Sequence, residues 1–396
     1  MKLYTSVLIL LLLIIIIPDI FFYLKLKNKN VRPIFIILHL IPAFIFAGMF
    51  FYIKFELIHQ QNFRIILIVM WFYFFFLLIY IPKLLHIIFY FLNYLFKLFF
   101  KRNSIYFNII RIVLTVMVVG IMLISAYITP RNFEVSNVNV PTKNLPESFD
   151  GFKIVQISDI HLGSWNNKYE RFNPVIEIIN QQNADIIIFS GDMVNNFADE
   201  AEGWKSTFIK LKSKSGKFAV LGNHDYGDYI NWKSENERRA NRLEINQSIN
   251  EFGFRLLLNE SVYLKRGADS LLLVGVENWS KSAHSHYEDL DKALNNKPLQ
   301  IPKILISHDP AHWDEEVIGK KDIFLTLSGH THAAQLGIRI GKKIYSPAAF
   351  VFKHWAGLYE VDSQYLYVNR GLGYMGLPML IGLKPEITVI TLRKIK

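Results

Sequence analysis

The chain has 396 residues, a formal charge of +11, 52% apolar and 15% aromatic residues, and no cysteine. That length allows more than one folded unit, and a mean hydropathy of +0.23 points toward a membrane protein. The missing cysteines exclude disulfides, thiolate-bound zinc and a thiol nucleophile. Residues 1–130 hold 12 Lys/Arg against Asp19 and Glu56, which leaves 32 of the 44 basic and 31 of the 33 acidic residues beyond them. A nucleic-acid-binding domain carries its own basic excess, so the near-neutral C-terminal half excludes nucleic acid as a main partner.

In chain order, apolar runs occupy residues 5–24, 34–53, 65–82 and 105–128, each near the ~20 residues that a helix needs to cross a bilayer. The first run continues into Pro18-Asp19-Ile20-Phe21-Phe22, with no small-residue cleavage site, and reads as a retained helix. Over 84–100 the polar residues Lys83, His86, Tyr90, Asn93, Lys97 and Lys101 recur every three or four positions. One basic stripe on an otherwise apolar helix predicts an interfacial helix. Residues 1–130 therefore read as an α-helical membrane domain of about four spans plus that helix, in an inner or plasma membrane. Lys25, Lys27, Lys29 and Arg32 in the first connection, and Lys83, Lys97, Lys101 and Arg102 in the third, place both in the cytoplasm by positive-inside logic. The C-terminal domain then comes out extracytoplasmic; a spanning 84–100 would reverse it. Asp19, Glu56 and Arg111 are the few charges in or near the spans, which favours an anchor over a transporter.

Residues 131–150 read as a linker and edge strand, and residues 151–396 show a repeated pattern. KIVQIS runs into DIH, ADIIIFS into GDMVNN, KFAVL into GNHDY, KILIS into HDP, and DIFLTLS into GHTH. Amphipathic stretches at 173–182 and 204–212 fall between the early strands, which indicates an α/β domain. Strand ends on one sheet edge would gather Asp159, His161, Asp192, Asn223, His308, His330 and His332. Oxygen and imidazole ligands without sulfur suit Mn, Fe or Zn. Seven side chains exceed the needs of one ion, and a bridging carboxylate accommodates two. Gly191, Gly222 and Gly329 just before the ligands allow close backbone approach.

The series D-x-H, G-D, G-N-H-D, H and G-H-x-H resembles the calcineurin-like metallophosphoesterase family over about residues 150–396. SDIHLG, LGNHDY, SHDP, SGHTH and NRGLG resemble its membrane-associated bacterial branch, some members of which are linked to lipid A precursors. The resemblance implies a two-sheet β-sandwich flanked by helices. It also implies hydrolysis of a phosphodiester, phosphomonoester or lipid-linked phosphate with two divalent ions. By the same resemblance Asp159, His161, Asp192 and His332 hold the first ion, and Asp192, Asn223, His308 and His330 the second. His224 is then the histidine that contacts the phosphate and aids the leaving group, with Asp225 orienting it. The family often carries Asp a few residues after G-D, where this chain has Asn195. Hydroxide attack with a histidine acid needs no Ser or Cys nucleophile. Two other functions compete: a UDP-2,3-diacylglucosamine-type pyrophosphatase in the cytoplasm, and a catalytically silent regulatory or binding domain.

The remaining polar residues have plainer readings. His312 reads as a surface or helix-start residue, His284 and His286 as loop residues or substrate contacts, and His354 with Trp355 as packing. Arg370 either touches a phosphate or braces the Gly371 turn. Residues 226–243 read as a charged helical cap, and 374–386 as either core or an apolar loop dipping toward lipid.

Overall fold

The computed structural model describes all residues except Met1, Asn30, 56–61, Asn103, 282–285, 296–299, Lys342 and Lys396; the side chains of 2–9 are also outside the description. Glu56 and His284 thus lie outside the described residues. The chain divides into two units, Met1–Ile124 and Ser125–Lys396.

Nearly unbroken apolar sequence forms four long helices, α1 (Lys2–Asn28), α2 (Pro33–Phe55), α3 (Phe63–Phe100) and α4 (Ile105–Tyr127). Among the described residues, Pro33–Phe55, Phe63–Phe100 and Ile105–Arg131 are long and apolar enough to cross a membrane. Ile15, Phe46, Phe50, Phe76 and Tyr80 pack where α1, α2 and α3 meet. Beside them sits Asp19, only 4% exposed, accepting from Tyr80 Oη at 2.7 Å and Lys83 Nζ at 2.5 Å, with His39 Nε2 at 3.0 Å.

The predicted break between a span and an interfacial helix is absent, because α3 runs through Pro82 without interruption. At 1.5 Å per residue such a helix is about 57 Å long, nearly twice the ~30 Å hydrocarbon core. Four residues of its polar stripe meet neighbouring segments, while Lys97 and Lys101 are exposed. Lys83 meets Asp19 of α1, His86 Nε2 lies 3.2 Å from Arg111 Nη1 of α4, and Asn93 Oδ1 accepts the Ser104 N–H at 2.9 Å. Lys25 of α1 lies over the Tyr90 ring at 3.8 Å. Spacing alone cannot tell a stripe facing water from one facing other polar side chains.

The second unit contains, in order, β1 (Glu134–Thr142), β2 (Lys153–Ile157), α5 (Asn173–Gln181), β3 (Ile186–Phe189), α6 (Lys205–Phe208), β4 (Lys217–Ala219) and α7 (Glu235–Glu251). Then come β5 (Arg255–Leu256), β6 (Glu260–Arg266), β7 (Asp269–Gly275), α8 (Leu290–Leu294), β8 (Lys303–Ile306) and β9 (Leu325–Ser328). β10 (Ile338–Ile340), β11 (Lys343–Tyr345), β12 (Gly357–Val361), β13 (Gln364–Val368) and β14 (Glu386–Lys394) complete it. One six-stranded sheet has the order β1-β14-β2-β3-β4-β5, the other β12-β13-β9-β8-β7-β6, and β10-β11 form a separate hairpin.

Side-chain alternation sorts the apolar residues into three layers. Ile154, Ile186, Ile188 and Ile390 of one sheet meet Leu271, Leu273, Ile304 and Leu325 of the other in the core between the sheets. Val155, Ile187 and Phe189 point outward to Val175, Ile179, Phe208 and Ile245 of α5, α6 and α7. Leu272, Leu305 and Leu366 point the opposite way, to Leu290 of α8 and Trp313. Burial on both faces explains why these strands read as continuous apolar runs. The parallel runs β2-β3-β4 and β7-β8-β9 belong to different sheets, so the polar clusters do not share one sheet edge as the sequence suggested. The sheets are stitched at those ends, where Gln156 Nε2 donates to Ser328 O at 2.9 Å.

Candidate metal centre

Five strand ends deliver the predicted residues. Asp159 and His161 follow β2, Asp192 follows β3, Asn223 and His224 follow β4, His308 follows β8, and His330 and His332 follow β9. Asp159 accepts the His330 N–H at 3.1 Å, and its Oδ1 lies 3.4 Å from His332 Nε2. Asp192 Oδ2 stands between two imidazoles, 3.1 Å from His308 Nε2 and 3.7 Å from His161 Nε2. His330 Nδ1 faces Asn223 Oδ1 at 2.8 Å. All seven predicted ligand residues are thus in one cluster.

The local backbone is bent to achieve this. Asp159, His161, Asp192, His330 and His332 all adopt positive φ, between 48° and 74°. Each such residue costs about 1–3 kcal/mol and persists only where its surroundings fix it. Gly191 has φ 103°, and a Cβ there would lie 2.5 Å from His308 Nδ1. A Cβ on Gly329 would come within 2.3 Å of Asp159 Oδ2. At both positions only glycine lets the turn approach a ligand this closely.

Polar satisfaction is incomplete in a directed way. His308 donates from Nδ1 to Ser190 O at 2.7 Å, and its buried Nε2 faces Asp192 Oδ2 at 3.1 Å. His161 gives its Nδ1–H to Val194 O at 3.2 Å, so its Nε2 presents a lone pair to His332 Nε2 only 3.0 Å away. Burial lowers the pKa of His161, His330 and His332, keeping them in the neutral form that binds metals. Burial alone would also lower His308, but the Asp192 carboxylate overrides it and holds the imidazolium up to about 10. Converging imidazole lone pairs, carboxylates and an amide oxygen fit divalent Mn, Fe or Zn.

His224 lies at the edge of this cluster, its Nδ1 2.7 Å from Asn195 O and its ring 4.7 Å from that of Tyr229. The expectation that Asp225 orients His224 is corrected here. The Asp225 carboxylate accepts the backbone N–H groups of Asp192, Met193, Val194 and Gly222 at 2.8–3.1 Å. It ties the loop after β3 to the loop after β4, and the backbone carbonyl of Asn195 positions the histidine. Sequence reasoning missed Glu200, a fully buried carboxylate that accepts from Gly163 N, Asn195 N, Asn195 Nδ2, Asn196 N and Phe197 N. Its signal was only an acid near the G-D motif. Glu200 anchors Asn195, and through it the carbonyl that holds His224.

A cavity of about 690 Å³ opens over the cluster, with Asp192, Asn223, His224, His330 and His332 in its polar wall. Phe352, Met375 and Leu377 supply apolar surface. The stretch 374–386 is therefore partly cavity wall, while Leu380 and Leu383 within it are buried. Arg370 is paired to Glu134 at 3.0 Å and lies near Glu386 at 3.5 Å, a bracing role. His354 packs on Trp313 and Tyr359, with Asp314 at 3.1 Å. The charged cap is helical only from Glu235, within α7. His312 stands at a helix start, one of its two readings, but is fully buried and not on the surface, because its ring is enclosed beside Trp279.

A family model for calcineurin-like phosphoesterase matches residues 152–334. The chain is 28% identical over 297 residues to a transmembrane protein with metallophosphoesterase domain from Danio rerio, covering 72% of this chain and 63% of that protein. A protein of the same description from Bos taurus is 30% identical over 272 residues, covering 65% of this chain and 57% of that one. The match thus spans less than two thirds of either vertebrate relative. Metallophosphoesterase YkuE of Bacillus subtilis (strain 168) is 31% identical over 273 residues, covering 67% of this chain and 88% of that protein. By sequence likeness, sandwich fold and the order of its strand-end residues, the chain belongs to the calcineurin-like metallophosphoesterase family.

Proposed function

We propose that the protein is a membrane-anchored phosphoester hydrolase with a dinuclear metal centre. Asp159, His161, Asp192 and His332 would hold one ion, and Asp192, Asn223, His308 and His330 the other. The observation that carries this reading is the convergence of imidazole nitrogens on the two carboxylates: Asp192 Oδ2 lies 3.1 Å from His308 Nε2 and 3.7 Å from His161 Nε2, and Asp159 Oδ1 lies 3.4 Å from His332 Nε2. When bound, two such ions activate water and neutralise charge on phosphoryl oxygens. The chain's own part is to position and protonate. With Nδ1–H donated to Asn195 O, His224 in its imidazolium form has an Nε2–H to give to the departing oxygen and is left neutral. Asp225 and Glu200 keep the loops that carry Asp192 and Asn195 from shifting.

The cavity wall favours one substrate class. Phe352, Met375 and Leu377 wall it, and Phe350 next to that wall is 92% exposed. An apolar wall beside a phosphate site favours a lipid-linked or otherwise apolar phosphoester, a class that includes UDP-2,3-diacylglucosamine-type diphosphates. An extracytoplasmic catalytic domain is favoured by the continuity of α3, since one unbroken helix crosses a bilayer once and adds no crossing to the four expected from the sequence, three of which are long and apolar enough among the described residues. An intact ligand set argues against a silent binding domain.

The test is turnover by the full chain in detergent, loaded with Mn and given a chromogenic phosphodiester and the matching monoester. Hydrolysis that disappears with Asp192→Asn supports the reading. Wild type that binds metal but turns over neither these esters nor a lipid-linked phosphate would leave the silent-domain alternative standing.

A further inference from the structure

His312 is completely buried, yet its Nε2 has no hydrogen-bond partner. Its other nitrogen, Nδ1, lies 2.8 Å from Ser307 Oγ, so the ring is fixed with Nε2 aimed away from that hydroxyl. What Nε2 faces is a pair of carboxylates, Glu288 Oε1 at 3.5 Å and Glu316 Oε2 at 3.7 Å. On the other side of Glu288, Oε2 lies 3.4 Å from His286 Nε2. His286, Glu288 and Glu316 each offer a ligand atom, and these atoms all lie within 4.8 Å of one another.

We infer that His286, Glu288, His312 and Glu316 form a further metal site, separate from the strand-end centre, that takes zinc or a similar borderline divalent ion. Separations of 3.4–3.7 Å are too long for good hydrogen bonds. They match the spacing of neighbouring ligands at about 2.0–2.2 Å from a common tetrahedral ion. The outer partners favour the same conclusion. His286 donates from Nδ1 to Ser280 O at 2.6 Å, and Trp279 Nε1–H donates to Glu316 Oε1 at 2.9 Å. The Leu290 N–H donates to Glu288 Oε1. His286, His312 and Glu316 thus each have one polar atom held from behind and another turned into the shared space, while Glu288 turns Oε2 to His286 and shares Oε1 between the Leu290 N–H and His312, as metal ligands are held by their outer partners. Two imidazoles and two carboxylates without sulfur suit zinc better than calcium or magnesium.

The position gives the site a purpose. His286 and Glu288 lie just before α8, while His312 and Glu316 lie in the segment that follows β8. Ser307, which fixes His312, directly precedes the predicted catalytic ligand His308. An ion here staples the loop after β7 to the segment carrying His308 and so braces the catalytic edge from outside.

The experiment counts zinc. Full-length protein in detergent is loaded with zinc, cleared of free metal, and its zinc content measured for wild type, Asp192→Asn, His312→Gln, Glu316→Gln and His286→Ala. Glu316→Gln and His312→Gln should each bind one equivalent less than wild type. Asp192→Asn should lose zinc yet retain the equivalent that Glu316→Gln removes, and the double variant should lose both. Chelation should also lower the melting temperature less in Glu316→Gln than in wild type. Should His312→Gln not fold, the rim variants at Glu316 and His286 decide. Zinc content equal to wild type in both rim variants overturns the inference, and so does complete loss of zinc in Asp192→Asn. Unchanged zinc in Asp192→Asn alone would instead count against the dinuclear centre.

Discussion

Both units bury charged side chains, and they do so in opposite ways. In the helical unit Asp19 is surrounded by Tyr80, Lys83 and His39, so its charge is answered by a cation and two further polar groups. At the strand ends of the sandwich, Asp159 and Asp192 sit among imidazoles: His308 Nε2 is 3.1 Å from Asp192 Oδ2, and His161 Nε2 and His332 Nε2 face each other at 3.0 Å. The first network is closed by a lysine cation, whereas the second is open in that imidazole nitrogens face one another, as those of His161 and His332 do. A closed buried network holds a structure together, whereas an open one made of imidazoles and carboxylates suits a metal ion.

The largest expected effect probes the open network. Asp192→Asn removes the oxygen that stands between the two ligand groups, and phosphoester turnover should fall to background. Elemental analysis should show the loss of catalytic metal while the fold persists. His224→Asn should be smaller and different in kind, a loss of about 10²- to 10⁴-fold in kcat, the range for a missing general acid. Its metal content should be unchanged. Metal loss in His224→Asn would show that the histidine belongs to the ligand set and not to the proton chemistry.

The closed network predicts a stability effect with no catalytic counterpart. Lys83→Met leaves the buried Asp19 carboxylate without its cation, a change of the kind that costs about 3–5 kcal/mol. The double variant Asp19→Leu/Lys83→Met removes both charges and should recover most of that loss. Thermal unfolding in detergent measures it. If Lys83→Met alone left the melting temperature unchanged, the network would not be closed in the sense argued.

The same contrast explains what the sequence could reveal. Strand-end ligands were legible because each follows a short apolar run by one to five residues, so local pattern and chemistry coincide, as in KIVQIS-DIH. Their division between two sheets was not, since alternation fixes faces and not strand partners. The role that the resemblance implied for Asp225, orienting His224, does not hold, because its carboxylate instead closes four backbone N–H groups across two loops. The stripe on α3 was correctly seen as polar, but periodicity carries no information on whether water or Asp19 faces it. The His286, Glu288, His312 and Glu316 cluster was invisible because its members come from two segments joined only by the fold.

The smallest predicted effect sharpens the comparison through protons. Before metal binds, burial disfavours charge at both members of the Asp192–His308 pair. Their attraction at 3.1 Å prevails, leaving Asp192 well below the usual carboxylate range and His308 up to about 10. At about pH 8 His308 therefore carries a proton that an incoming ion must displace. Apparent affinity should rise about tenfold per pH unit for one displaced proton, and level off above the His308 pKa. An imidazole with its ordinary pKa would already be neutral at pH 8 and would release nothing. Calorimetric titration of metal in two buffers of different ionisation enthalpy counts the protons directly. One proton released per His308-bound ion at pH 8 supports the open, pre-charged pair. None released means that His308 is already neutral there, and the carboxylate at its side does less than its distance suggests.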